Sequence, residues 1–207
     1  TPEAKEQMNI NKSNSMIEYY DKLSYEERVN RDLKGFINHN KRAISYTKYL
    51  IKYHLKDIKF GTEGSFMKIL VQCGINFIFQ YYNTLEHTNF RNLYNYNIQT
   101  ENDYVCPFHR WDFLIQTKST NIFVDIDGSI HDPLQNNYYK TTLIGRKISI
   151  SEIEKFYDLK RIYQTDGLPA YIIKCYNDKL DMNTLVINVY DENDTMFLDD
   201  FLKLINN

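Results

Sequence analysis

The run Ile122-Phe-Val-Asp-Ile126 constrains this chain more than any other stretch. It is apolar and β-branched, carries carboxylates at Asp125 and Asp127, and breaks at Gly128. Strand side chains alternate, so Asp125 and Asp127 share a face about 6–7 Å apart, while Val124 and Ile126 point the other way, into a core. Asp112 opens a second short strand, Asp-Phe-Leu-Ile115, and Lys118-Ser-Thr-Asn121 supplies a hairpin turn between the two. Pairing them brings Asp112, Asp125 and Asp127 to one end of a sheet, with His131 and Asp132 on the loop beyond. Clustered acids repel unless protons or a cation compensate, and oxygen donors of this kind suit Mg²⁺, Mn²⁺ or Ca²⁺. The spacing therefore points to a metal-dependent phosphodiesterase site, with a nuclease as the first expectation.

A chain of 207 residues is long enough for one domain with a real core, with or without an appendage. The chain begins at Thr1 without Met, as a trimmed chain would. Three cysteines, Cys73, Cys106 and Cys175, are odd in number and far apart, which points to a reducing, intracellular setting rather than a disulfide framework. No apolar run approaches the ~18 residues of a membrane span, and no signal-peptide pattern opens the chain. A net charge of −2 excludes a uniformly basic nucleic-acid binder, but the distribution is uneven. Residues 28–59 hold nine Lys/Arg against two acids, whereas residues 178–203 hold seven acids against two lysines. Such asymmetry permits local phosphate binding under a near-neutral total; solvated helix faces are the plainer account.

Taken in order, residues 1–15 are polar and expected to fray. Ser24-Tyr-Glu-Glu27 is a capping box that starts a helix near Tyr25, with a stop near Gly35. A second helix is expected over residues 41–59, with Ile44, Ile51, Leu55 and Ile58 on a docking stripe. Lys48, Lys52, Lys56 and Lys59 form the adjacent row, either bordering the buried seam or tracking phosphates. Gly61 to Gly74 reads as a helix with Thr62 near its N-cap and Gly74 past its end; Glu63 falls in its first turn, where a negative charge is favoured. Ile75 to Gln80 alternates as a strand, and residues 83–105 read as a long Asn- and Tyr-rich insertion. A capping box at Ser151–Glu154 opens a helix to about Gln164, followed by strands at Tyr171–Tyr176 and Thr184–Tyr190 and a helix at Met196–Ile205. The expected fold is α/β, a mixed central sheet flanked by helices, with a helical N-terminal extension over residues 1–59 and the α/β domain over residues 60–207. Cys106-Pro-Phe-His109 has zinc half-site spacing but no second pair at finger spacing. Trp111 fits a core position or a base-stacking one.

Together these segments resemble a known family. Thr62-Glu63, Leu70, Gly74, Phe77 and Gln80, then Asp112-Phe113, then Val124-Asp-Ile-Asp-Gly-Ser-Ile-His131, follow the motifs of the very-short-patch-repair-like branch of the PD-(D/E)XK nucleases. Asp158-Leu-Lys-Arg161, ahead of the Tyr171–Lys174 strand, follows that branch's helix and last core strand. The homing endonucleases with an EDxHD signature look most similar, through Asp127, His131 and Asp132. Residues 19–28 look like the small DNA-binding modules attached to such enzymes. The resemblance covers about residues 61–176 and departs in two places: Asp125 stands where Glu is usual, and Asp127 where the wider superfamily carries lysine.

The resemblance implies a restriction-endonuclease-like core, Mg²⁺ (or Mn²⁺) as cofactor and DNA as partner, with RNA as the alternative. It leaves open a homodimer and a phage- or virus-encoded origin. Asp112 and Asp127 would ligate the metal, with Asp125 a third ligand, a residue behind the ligands, or a solvated strand end. His131 would act as general acid or base, Glu63 would hold a metal-bound water or orient His131, and Asp132 would orient His131 or bind a second cation. Arg161 would contact phosphate or pair with Asp158. A catalytically silent binding module on the same fold is the competing expectation.

Overall fold

The computed structural model describes residues 2–54, 61–84, 108–128, 139–141, 147–149, 158, 161–162, 164–165, 167–177 and 179–206. Its class is α/β: a mixed six-stranded sheet with helices, preceded by a helical N-terminal region. The chain forms two compact units, residues 1–36 with 87–107, and residues 37–86 with 108–207. Residue 59, the expected end of the extension, lies outside the described residues. Among the described residues no helix is long and apolar enough to cross a membrane.

The first helix, α1, spans Pro2–Asp21, where fraying was expected. Proline is well suited to a first helical position, and Ala4 to Met8 are good helix formers. Gln7 Nε2 donates to Asn11 Oδ1 at 3.1 Å, and Ser15 Oγ donates to the Asn11 carbonyl. The second helix, α2, spans Tyr25–Tyr49 and continues in π geometry over Leu50–His54. Its capping box forms as expected: Ser24 N–H donates to Glu27 Oε2 at 2.8 Å, and Glu27 N–H donates back to Ser24 Oγ. The expected stop at Gly35 does not occur. A mid-helix glycine costs about 1 kcal/mol relative to alanine, and no proline follows before Pro107.

The third helix, α3 (Gly61–Gln72), ends as expected at Gly74, which adopts a left-handed φ of 69°. The Ile75 N–H reaches the Leu70 carbonyl and the Gly74 N–H reaches that of Val71, the paired bonds of a Schellman cap. Strands β1 (Asn76–Tyr82), β2 (Arg110–Gln116) and β3 (Asn121–Asp127) then pair antiparallel in succession. Short strands β4 (Tyr139–Thr141) and β5 (Lys147–Ser149) form a separate hairpin. Strand β6 (Ala170–Lys174) returns parallel to β3, with Asp127 opposite Lys174. Strands β7 (Leu185–Asn188) and β8 (Asp191–Phe197) complete the order β1-β2-β3-β6-β7-β8. Helix α4 spans Leu198–Asn206.

Strand β8 was not anticipated; its last two residues, Met196 and Phe197, were read as a helix start. Asp191-Glu-Asn-Asp194 has poor strand propensity, and the strand forms because it is an exposed edge that needs no apolar face. The main core lies on one side of the sheet, where Phe66, Met67 and Leu70 of α3 and Phe201, Leu202 and Ile205 of α4 join Phe113, Val124 and Ile173. Phe66 meets Phe113 edge to face at 5.1 Å. Each such buried side chain contributes about 1.5–3 kcal/mol of transfer free energy.

The opposite edge of the sheet is closed by α2. Asn40 Nδ2 donates to the Tyr82 carbonyl at 2.8 Å and Asn40 Oδ1 accepts from the Tyr82 N–H at 3.0 Å, a side chain pairing β1 as a strand would. Thr47 Oγ1 accepts from Phe79 N–H at 3.0 Å while donating to the Ala43 carbonyl, and His39 Nε2 lies 2.9 Å from the Gln80 carbonyl. The docked residues of α2 and its continuation are therefore Asn40, Ala43, Thr47 and Leu50; of the expected stripe Ile51 packs against the core, Ile44 remains 37% exposed, and Leu55 and Ile58 lie outside the described residues. A sheet edge offers unpaired backbone groups, so polar side chains dock the helix where an apolar stripe would leave those groups bare. Replacing Asn40 with Ala should lower stability by about 1–3 kcal/mol, while Ile44→Ala changes it by less than about 1 kcal/mol. Urea midpoints of the two variants check this.

Candidate functional site

The site begins with a break in β2. By strict alternation Trp111 would share a face with Phe113, yet Phe113 packs in the main core. Trp111 lies in a second cluster with Leu114 and Phe123, stacked on Phe123 at 5.0 Å. Trp111 is fully buried, so its core role stands and base stacking does not. The paired register of β2 with β3 stops at Phe113↔Val124. Beyond that pair, Asp112 side-chain and backbone groups replace the ladder. The Asp112 N–H donates to Asp125 Oδ1 at 3.1 Å, and the Ile126 N–H donates to Asp112 Oδ2 at 2.8 Å. On the neighbouring strand the same level is marked by Gln80, the one described non-glycine residue with a left-handed φ, at 56°. The sequence thus brings Asp112 and Asp125 together, as expected, by breaking the sheet between them.

Two electrostatic environments result. In the first, Asp125 Oδ2 takes Arg161 Nε at 2.7 Å and faces His109 Nε2 at 2.6 Å. Asp127 Oδ1 accepts from Arg161 Nη2 at 2.7 Å and Asp127 Oδ2 accepts from Lys174 Nζ at 2.6 Å. Arg161 Nη1 also reaches Asp158 Oδ1 at 3.1 Å. Burial alone would raise the Asp125 carboxyl, but His109 and Arg161 outweigh it and hold the group well below the usual carboxylate range. Burial likewise opposes the charge on Arg161 and on Lys174, and the facing aspartates override it, raising both.

The second environment is the reverse. The Asp112 carboxyl is raised well above its ordinary value, first by desolvation, then by the charges of Asp125 and Glu63. Glu63, in the first turn of α3, is raised first by desolvation; nearby Arg110 opposes this, the Asp125 charge adds to it, and a hydrogen bond with Asp112 offsets part. Glu63 and Asp112 are neighbours, the charge of Glu63 raising Asp112, and among the described residues Arg110 is the cation whose charge opposes theirs.

The structure therefore redistributes the expected roles. Asp112 and Asp127 were the expected ligand pair, but each Asp127 oxygen already meets a cationic donor, and the residue is 1% exposed. Glu63 is the acid that lies beside Asp112. Asp125 lies behind the acid pair, bound to Arg161 and His109. Arg161, expected either to contact phosphate or to pair with Asp158, is 3% exposed with all three nitrogens on aspartates, Asp158 among them, so the internal pairing holds. His131, Asp132, Lys56 and Lys59 lie outside the described residues, while Lys48 and Lys52 are exposed on α2 and its π continuation. Among the described residues no three His, Cys, Asp or Glu side chains converge to hold a metal by themselves.

Three members went unnoticed in the sequence. His109 was weighed only as a zinc half-site; its N–H donates to the side chain of buried Gln164, which fixes it against Asp125. Arg110 adjoins Glu63 and Asp112. Lys174 was read only as a strand end, and the parallel register with Asp127 is the signal that would have found it. Comparison with protein-family models, with curated proteins and with solved structures gives no match to this chain.

Three outcomes follow from these charges. Asp112 is harder to ionise in the folded chain, so its charge costs stability at neutral pH, and the cost disappears below about pH 4, where the unfolded carboxyl is also protonated. Asp112→Asn should therefore raise the melting temperature at pH 7 and leave it unchanged at acid pH; Asp125→Asn should do the opposite at pH 7, its penalty shrinking as pH falls. Arg161→Met strands two buried carboxylates and should cost about 3–5 kcal/mol in chemical denaturation.

Proposed function

We propose that this chain is a metal-dependent endonuclease of the PD-(D/E)XK type, hydrolysing phosphodiester bonds of DNA. The observation that carries this reading is the raised carboxyl pair Glu63–Asp112 beside a sheet break, with Asp125 and Asp127 neutralised next to it. The element order supports it as well. Helix α3, the antiparallel strands β1, β2 and β3, a crossover whose described residues Asp158, Arg161, Ile162 and Gln164 are helical, and parallel β6 follow the core that the motif resemblance implies.

The donor chemistry fits Mg²⁺ or Mn²⁺. Mg²⁺ keeps several waters and is held by one or two carboxylates together with substrate phosphates, which is what two desolvated acids can offer. Glu63 and Asp112 would hold the ion, and when bound it polarises the scissile phosphate and acidifies a water. Arg110, exposed beside the pair, can meet the phosphate charge. Asp125 holds the Asp112 backbone through its Oδ1 and anchors the crossover through Oδ2. Lys174 delivers an ammonium to Asp127, the position at which the superfamily's lysine would stand, from the neighbouring strand.

Supercoiled plasmid incubated with Mn²⁺ or Mg²⁺ should be nicked or cut, and EDTA should stop the reaction. Asp112→Asn and Glu63→Gln should each abolish cleavage, and Mn²⁺ should raise the melting temperature of the unaltered chain but not of Asp112→Asn. Single-stranded RNA cleaved in preference to the plasmid would transfer the reading to an RNA endonuclease. Undiminished cleavage by both variants would sink it.

A further inference from the structure

Helix α2 and its π continuation present a second surface, on the side away from the docked stripe. No acidic residue occurs between Asp32 and Asp57, yet Lys41, Arg42, Lys48 and Lys52 all fall in that interval and all are exposed. Lys41, Ser45, Lys48 and Lys52 recur at i, i+4, i+7 and i+11, the spacing of one helical stripe. Arg42, Tyr46, Tyr49 and Tyr53 recur at the same spacing one residue later, so an aromatic row runs beside the cationic one. The three tyrosines are 44%, 49% and 59% exposed. Tyr49 and Tyr53 have ring centroids 5.4 Å apart and form a continuous aromatic surface, with Lys52 Nζ 4.8 Å from the Tyr53 ring centre. His54 Nε2 meets the Tyr49 hydroxyl at 2.7 Å and fixes that ring from the next turn.

A folded chain seldom leaves three large aromatic rings in water beside a basic row that none of the described acids neutralises without a use for them. Lysines alone would suit any polyanion, including duplex DNA, whose bases are stacked on one another and closed to a flat helix surface. Aromatic rings next to the phosphate-binding row add a contact that only unpaired bases can make. We infer that the exposed face of α2 from Lys41 to Tyr53 binds an unpaired DNA strand, its phosphates over Lys41, Lys48 and Lys52 and its bases against Tyr46, Tyr49 and Tyr53. The strand would approach from the sheet end that carries the acid pair: Asn40, one residue before the rows begin, is bonded to Tyr82, which stands opposite Arg110 in the sheet. The choice of DNA over RNA rests on the nuclease reading; the platform for an unpaired strand does not.

Fluorescence anisotropy of the full chain in EDTA, where no cleavage can occur, separates this proposal from the catalytic one. A 20-nucleotide dT oligomer should bind more tightly than a 20-base-pair duplex of mixed sequence. Tyr49→Ala and Tyr53→Ala should each weaken dT binding about tenfold or more, and Tyr49→Phe, which keeps the ring and loses only the hydroxyl, should restore it. Lys48→Ala and Lys52→Ala should each flatten the salt dependence by about 0.7 in the log–log slope. Equal binding of duplex and single strand, with the Tyr→Ala variants unchanged, would overturn the proposal. So would tighter binding of rU oligomer, capture by phosphatidylserine vesicles with no affinity for dT, or a dimer in solution that Tyr49→Ala dissociates.

Discussion

The charge balance at the end of β3 rests on one guanidinium. Arg161 is buried and divides its nitrogens among Asp125, Asp127 and Asp158, so a single side chain ties the crossover segment to the central strand. Two carboxylates on one strand face would repel in a low-dielectric interior, and a planar fork of donors is the group whose geometry can meet both at once. Lys174 completes the neutralisation from the parallel strand. Because Arg161, Lys174 and His109 are committed to Asp125 and Asp127, none of them is directed at Asp112 and Glu63. The raised carboxyls of the pair are thus tied to how the described neighbours are satisfied, with Arg110 as the cation whose charge opposes theirs.

The sheet edge shows the same economy in a different chemistry. Strand β1 needs partners for its outward backbone groups, and α2 supplies them with an amide, a hydroxyl and an imidazole instead of an apolar stripe. Polar docking of this kind fixes the helix in register, since Asn40 can pair with only one residue of β1 at a time. It also leaves much of the outer circumference of the helix exposed between Lys41 and Tyr49. The aromatic and cationic rows lie on that circumference, so one helix both closes the sheet and offers a face outward.

What could be read from the residues was largely local. The β2–β3 hairpin, the capping box at Ser24 and Glu27 and the glycine cap at Gly74 depend on contacts within a few residues, and all were legible, as was the apolar run of β6 though not its partner. The run of α2 through Gly35 was misjudged because one glycine costs less than a long helix gains from its docked half. Strand β8 was hidden because an edge strand made of Asp, Glu and Asn carries no apolar alternation. Within the site, the closeness of Asp112 to Asp125 followed from the hairpin. The engagement of Asp127 by Arg161 and Lys174 did not, since those partners lie 34 and 47 residues further on.

By itself, then, the sequence determined that a two-stranded turn would gather acids at one sheet end, that Glu63 would open a helix, and that basic charge would collect between residues 28 and 59. Alternation and capping are properties of neighbouring residues, and they survive whatever the rest of the chain does. Only the tertiary structure decided which of those acids have raised carboxyls. That outcome depends on the parallel return of β6 and the seating of the crossover arginine, contacts between segments whose meeting no local pattern encodes.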